Sequence, residues 1–286
     1  MATPQETPPP PYPSYTALIR ERKGRPVTIN ECMDRLFWPL EGVFPSCVSV
    51  MRHPRGSKEA LQPFFNPDNS NSSGSWHACA SEPLTEPKVS SISVSCLELE
   101  QWEADWVAWH DDSHHESRRE FVAYADLEDD IRPFRREGVE DGEWEEEEVD
   151  DDEKKQFLIR CCGQDRPVRK KGQTLLITAS GEGEGEGFVT VRDFVGSVHP
   201  WLLNLHDDLI KAKSVARWEA FPESAGTRWM VNYRGLTSSA HGGEVYVLVE
   251  RGQWIRDHGP LSPVAEGHKA RFLDRIRKNR EERNKG

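Results

Sequence analysis

From Glu137 to Glu153 the chain places twelve acidic residues and not one base. Like charges at that density repel one another and resist burial, so the run predicts an exposed, disordered insertion over about 137–155. Whatever folds must therefore fold around it. The run carries −12, which equals the net charge of the whole chain, so the remainder is neutral. Acidity is a local feature here. No basic surface of the kind that seeks nucleic acid is expected on the folded part, and direct nucleic-acid binding is not favoured.

Two further breaks bound the foldable sequence. Residues 1–24 open with MATPQETPPPPYPSY, dense in proline and poor in apolar side chains. Such a segment buries too little surface to offset its ordering entropy, and it predicts an extended, disordered tail. The run from Asn66 to Gly74 is polar and rich in turn residues, so it reads as an exposed loop. No stretch reaches the roughly 18 apolar residues of a membrane span, and a basic start with an apolar run is missing from the N-terminus. The expectation is a soluble chain in the cytoplasm, with a nuclear destination left open by a basic C-terminal run.

Between the breaks, local patterns are informative. Ile92, Val94 and Cys96 alternate onto one face and predict a strand. Leu99, Trp102, Trp106 and Trp109 follow at spacings of three, four and three, which puts them on one helical stripe over 99–110. After the acidic run, Phe157–Ile159 and Thr174–Ile177 read as strands. Thr190 with Asp193 three residues on reads as a helix start. Phe194, Val198, Trp201, Leu202, Leu205 and Leu209 continue it as an apolar stripe, in which Pro200 should kink or divide the helix. Trp229–Tyr233 and Val245–Val249 predict two more strands, and Ser262-Pro263 opens a basic C-terminal helix over 259–286. Val27–Glu31 echoes Val189–Asp193, through duplication of one strand–cap–helix unit or through convergence on a good helix start.

The phrase Val189-Thr190-Val191-Arg192-Asp193, the helix behind it, Trp218-Glu219 and the apolar strand that follows resemble a group of uncharacterised fungal proteins. The resemblance covers roughly residues 156–250. It implies an α+β arrangement, with the helix beside a small sheet, and it implies no activity, because that family has none assigned.

Spacing argues against several chemistries. The cysteines Cys32, Cys47, Cys79, Cys96, Cys161 and Cys162 form no CxxC pair, so they read as free thiols, most of them small buried groups. The glycines from Gly181 to Gly187 alternate with glutamates that would repel phosphate, so they read as a connection and not a phosphate loop. His110, His114 and His115 contain an i,i+4 pair without the glutamate of a zinc-protease helix. His77 beside Cys79 is a weaker pair still. His241-Gly242-Gly243 has no GxSxG elbow to serve, and reads as a turn. The tryptophans fall in or beside apolar elements, where core anchoring explains them. No catalytic residue, cofactor or metal is assigned.

The features that remain are linear. Pro9-Pro10-Pro11-Tyr12 matches PPxY, the pattern that WW domains bind. A preformed polyproline helix lays Pro9 and Pro10 in an aromatic groove while Tyr12 fills a neighbouring pocket. The acidic run could engage a basic protein. The expected fold is α+β: a small, mostly antiparallel sheet packed with one long amphipathic helix, within a single domain over 25–258. The preferred function is a non-enzymatic interaction protein. An enzyme whose site assembles only in the fold, from His199, His206 or His241 with a carboxylate, is the alternative. A chromatin-associated protein is the third.

Overall fold

The structure, a computed structural model, describes residues 10–21, 27–67, 74–113, 118–123, 126–127, 156–168, 173–180, 187–216, 227–236 and 246–260. The expected acidic insertion lies outside the described residues. So does the expected C-terminal helix, apart from its first two positions. Among the described residues, no helix is long and apolar enough to cross a membrane.

The chain opens with a helix, α1 (Tyr15–Glu21). Seven short strands follow: β1 (Thr28–Ile29), β2 (Leu36–Phe37), β3 (Ser49–Val50), β4 (Gln62–Pro63), β5 (Phe65–Asn66), β6 (Ser75–Trp76) and β7 (Thr85–Glu86). Strand β8 (Ser91–Ser95) leads into α2 (Leu97–Ser113), and then come β9 (Arg119–Ala123), β10 (Gln156–Cys161), β11 (Gln164–Asp165) and β12 (Thr174–Thr178). Helices α3 (Val191–Asn204) and α4 (His206–Ala216) precede β13 (Trp229–Val231), β14 (Leu248–Glu250) and α5 (Arg251–Asp257). The strands pair as β1-β7, β2-β3-β4, β5-β6, β8-β12, β9-β10-β11 and β13-β14, and every pairing is antiparallel.

The fold is thus mixed α and β, but the single sheet expected is instead a set of small ones. Proline is the physical reason in the first half of the chain. It cannot donate to a ladder, and Pro39, Pro45, Pro54, Pro83 and Pro87 lie in the segments that flank these two-residue strands. The one long helix expected is also corrected. Pro200 lies inside α3, and the division falls later, at Leu205, whose amide donates back to the Trp201 and Leu202 carbonyls. Phe194, Val198, Leu202 and Leu209 are buried on both sides of that break, so the stripe survives the change of helix.

Local signals elsewhere match their elements. Ile92, Val94 and Cys96 are buried, and β12 pairs with β8 in the register Ile177 to Ile92. Leu99, Trp102 and Trp106 are buried on α2, which packs against α4. Thr190 caps α3 through a capping box: its hydroxyl accepts from the Asp193 amide at 3.1 Å, and the Asp193 carboxylate accepts from the Thr190 amide at 2.9 Å. The echo at Val27–Glu31 folds differently. There β1 runs into a short 3-10 turn over Met33–Arg35 and then β2, not into a helix like α3.

The expected tail requires a correction at its C-terminal end. Residues 10–21 dock on the domain. Ser90 donates its amide to the Pro13 carbonyl at 2.9 Å, Ser14 bridges to Ser91 in parallel, and Leu18 of α1 is buried in the main core. Averaging over the prolines hides the run Tyr15-Thr16-Ala17-Leu18-Ile19, whose apolar residues suffice to dock the roughly two turns of α1.

Candidate functional site

The PPxY segment lies where this docked stretch meets the start of α3. Pro10 and Pro11 are exposed, and Tyr12 is half-buried. The Tyr12 ring meets Phe188 edge-on, with centroids 5.8 Å apart and planes at 89°. The Lys88 ammonium sits 3.9 Å from the Phe188 ring centre and 5.9 Å from that of Tyr12. Pro11 lies over Gly187, close enough that a Cβ at that glycine would come within 2.4 Å of Pro11 Cγ. Gly187 also has φ +83°, which favours glycine. Pro9 lies outside the described residues. The motif is therefore held at the surface by ring contacts and a glycine seat.

Of the histidines proposed for an assembled site, His199 and His206 lie among the described residues, and each is engaged with different partners. His199 is buried, and its Nδ1 accepts the Trp38 indole N–H at 3.0 Å. An indole only donates, so Nδ1 must be unprotonated and Nε2 carries the hydrogen. That nitrogen faces the Gly42 carbonyl and the Cys47 sulfur, the latter at 3.8 Å. Burial pushes the imidazole below its ordinary value and the Cys47 thiol above its own. The pair has the outline of a Cys–His dyad. It lacks the chemistry, because the lone pair that would take the thiol proton is engaged by Trp38. His206 stands apart beside Asp207 at 3.1 Å, and His241 lies outside the described residues.

The weaker histidine pairs are likewise accounted for. His77 Nδ1 accepts the Cys79 amide at 3.0 Å and so caps a 3-10 turn over Ala78–Ala80. Buried His110 donates from Nδ1 to the Trp106 carbonyl at 2.8 Å, while His114 and His115 lie outside the described residues. Among the described residues, no group of three or more His, Cys, Asp or Glu side chains is placed to hold a metal ion.

A half-open cleft of about 310 Å³ lies between the 33–36 and 231–234 segments and α5. Its polar wall is self-paired. Tyr233 donates its hydroxyl to Asp34 Oδ1 at 2.7 Å, and Arg234 donates to the same oxygen at 2.9 Å. Burial and the hydrogen bond to Asp34 push the tyrosine hydroxyl well above its ordinary value, so it stays protonated. Arg55 donates to the carbonyls of Asp257 and Gly259. These groups hold two turns and the end of a helix together.

Sequence reasoning missed a buried charged pair. Glu98 and Lys213 are each 3% exposed. Glu98 Oε1 accepts the amides of Val247 and Leu248, and Lys213 donates to the Leu248 carbonyl at 2.7 Å. Lys213 also lies 4.4 Å from the centre of the Tyr246 ring. A signal was available: Glu98 precedes Trp102 and Trp106 at i+4 and i+8, in phase with the apolar stripe of α2. Lys213 likewise sits one turn beyond Leu209 and Ile210. A charge in phase with a core stripe must find a partner.

Comparison of the chain with protein-family models, curated proteins and solved structures finds no match.

Proposed function

We propose that this chain is a non-enzymatic interaction protein and that Pro9, Pro10 and Tyr12 are its ligand for a WW domain. The observation that carries the reading is the seat of the motif. Pro10 and Pro11 face solvent, and Tyr12 rests on Phe188 beneath the Lys88 ammonium. The acidic run from Glu137 to Glu153 supplies a second means of contact, for a basic protein.

A WW domain takes the tyrosine into its own pocket, so Tyr12 must leave Phe188 to be read. An edge-on aromatic pair contributes about 0.5–1.5 kcal/mol, and an exposed cation–π contact about 0.5–1 kcal/mol. A closure of that size lowers the apparent affinity by roughly tenfold. Tyr12→Ala therefore abolishes WW binding in calorimetric titration with an isolated PPxY-binding WW domain. Gly187→Ala tightens binding by up to about tenfold, because its Cβ displaces Pro11 and opens the motif. Retention of equal affinity by Tyr12→Ala would overturn the reading.

A further inference from the structure

Strand β10 ends at Cys161, and the hairpin to β11 closes through Cys162 and Gly163, with Cys161 paired to Gln164. Both turn residues have positive φ, +53° at Cys162 and +79° at Gly163. A two-residue hairpin loop favours that backbone because it matches the twist of the strands, and asparagine and glycine ordinarily supply it. Gly163 fits the rule. Cys162 is the only non-glycine residue with positive φ among the described residues.

Along an extended strand successive side chains point to opposite faces, so neighbouring cysteines there hold their sulfurs apart. The reversal of φ at Cys162 ends that alternation. The Cys161 thiol donates to the Cys162 sulfur, and the two sulfurs lie 3.8 Å apart. Cys161 is buried in the main core, and Cys162 is half-buried against it. The turn is held from β9: the Cys162 amide donates to the Arg118 carbonyl at 3.2 Å, and Cys161 pairs with Arg119. One sulfur is thus partly open to solvent, and the other is buried within contact distance of it. That is the placement of an attacking and a resolving cysteine.

We propose that Cys161 and Cys162 are a vicinal dithiol that a peroxide closes to a disulfide, with Cys162 meeting the oxidant and Cys161 resolving it. The Cys162 sulfur attacks one oxygen of hydrogen peroxide, the O–O bond breaks, and hydroxide leaves and takes up the Cys162 proton as water. Cys162 is then a sulfenic acid. The Cys161 sulfur attacks that sulfur, and the hydroxyl departs with the Cys161 proton as a second water. Two thiols and one peroxide give one disulfide and two waters.

The bond so formed is of the reversible kind. Adjacent Cα atoms lie about 3.8 Å apart, short of the roughly 4.4–6.8 Å that a disulfide ordinarily spans, so the ring is strained and a dithiol reductant opens it. Closing it draws the sulfurs from 3.8 Å to about 2.05 Å and twists the 161–162 peptide between them. The Cys162 amide belongs to that peptide. Oxidation therefore bears first on its bond to the Arg118 carbonyl, at the end of the β9-β10-β11 sheet.

The test is peroxide treatment of the full chain, alkylation with a maleimide, and mapping of tryptic peptides by mass spectrometry. The expected result is a peptide beginning at Cys161 that is about 2 Da lighter than its dithiol form, from the two hydrogens lost, and carries no maleimide. After dithiothreitol, both of its cysteines take the label. In Cys161→Ser, dimedone labels Cys162, because the sulfenic acid has lost its resolving partner. Cys162→Gly suits the positive φ and keeps the hairpin, and there Cys161 remains a thiol that alkylates once the chain is unfolded. Should Cys161→Ser fail to fold, the peptide map of the unmodified chain decides alone. Full maleimide labelling of Cys161 and Cys162 after peroxide would overturn the proposal. So would a disulfide that joins either of them to another cysteine in place of its neighbour.

Discussion

Glu98→Ala lowers the unfolding free energy by about 3–5 kcal/mol, the size expected when one member of a buried charged pair is removed. The loss has two sources. Two buried amides, those of Val247 and Leu248, lose their acceptor, and an unpaired buried donor costs about 1–3 kcal/mol. Lys213 also loses the acidic group whose attraction offsets its burial. Urea titration followed by tryptophan fluorescence reads the difference, and a change below about 1 kcal/mol would show that this clamp does not hold β14.

The same residue imposes a pH dependence. Burial raises the Glu98 carboxyl above its ordinary value of 4.5, so the folded chain keeps that proton to higher pH than the unfolded chain does. The stabilisation is complete below 4.5 and is lost as pH rises through the raised value. Glu98→Gln keeps an acceptor for the amides and removes the titration. It is expected to cost less than the alanine variant and to flatten that part of the stability profile.

Trp38→Ala is expected to destabilise the fold by about 3–5 kcal/mol, as deletion of a large buried aromatic does. Trp38 is 1% exposed and meets Phe194 edge-on, with centroids 6.5 Å apart. Its carbonyl accepts the Val231 amide at 2.8 Å, so the residue joins the 36–40 segment to β13 as well as to α3. The side chain also supplies the only hydrogen that the described structure gives His199 Nδ1. Trp38→Phe separates the two effects. It keeps most of the volume and leaves that nitrogen unpaired, for a cost of about 1–3 kcal/mol. Near-equal losses for the two variants would show that the hydrogen bond and not the packing is decisive.

The pH sign at His199 is opposite to that at Glu98. Burial holds the imidazole below its ordinary 6.5, so its contribution is present above 6.5 and is lost as pH falls through the lowered value.

What was readable from sequence was local. Ile92 and Val94 alternate because a pleated strand points successive side chains to opposite faces. Leu99, Trp102 and Trp106 recur because a helix turns every 3.6 residues. Thr190 and Asp193 announce a helix start because exposed amides need acceptors within reach of the chain itself. Each signal fits within a few residues, and each appears in the structure. The interactions that pin the domain do not have that property. Trp38 and His199 are 161 positions apart, and Glu98 and Val247 are 149 apart. Nothing near any of those residues names its partner. The docking of Tyr12 on Phe188 was hidden for a related reason, because proline content describes the tail and says nothing of the surface waiting for it.

By itself, then, the sequence determined β8, α2 and the start of α3 and which faces of them turn inward, since periodicity and capping are properties of neighbouring residues. Tertiary structure alone decided that the strands form several small sheets, that His199 is locked by an indole, and that Glu98 of α2 meets the amides of Val247 and Leu248. Those outcomes depend on distances between residues remote in the chain, and such distances exist only once the core has closed.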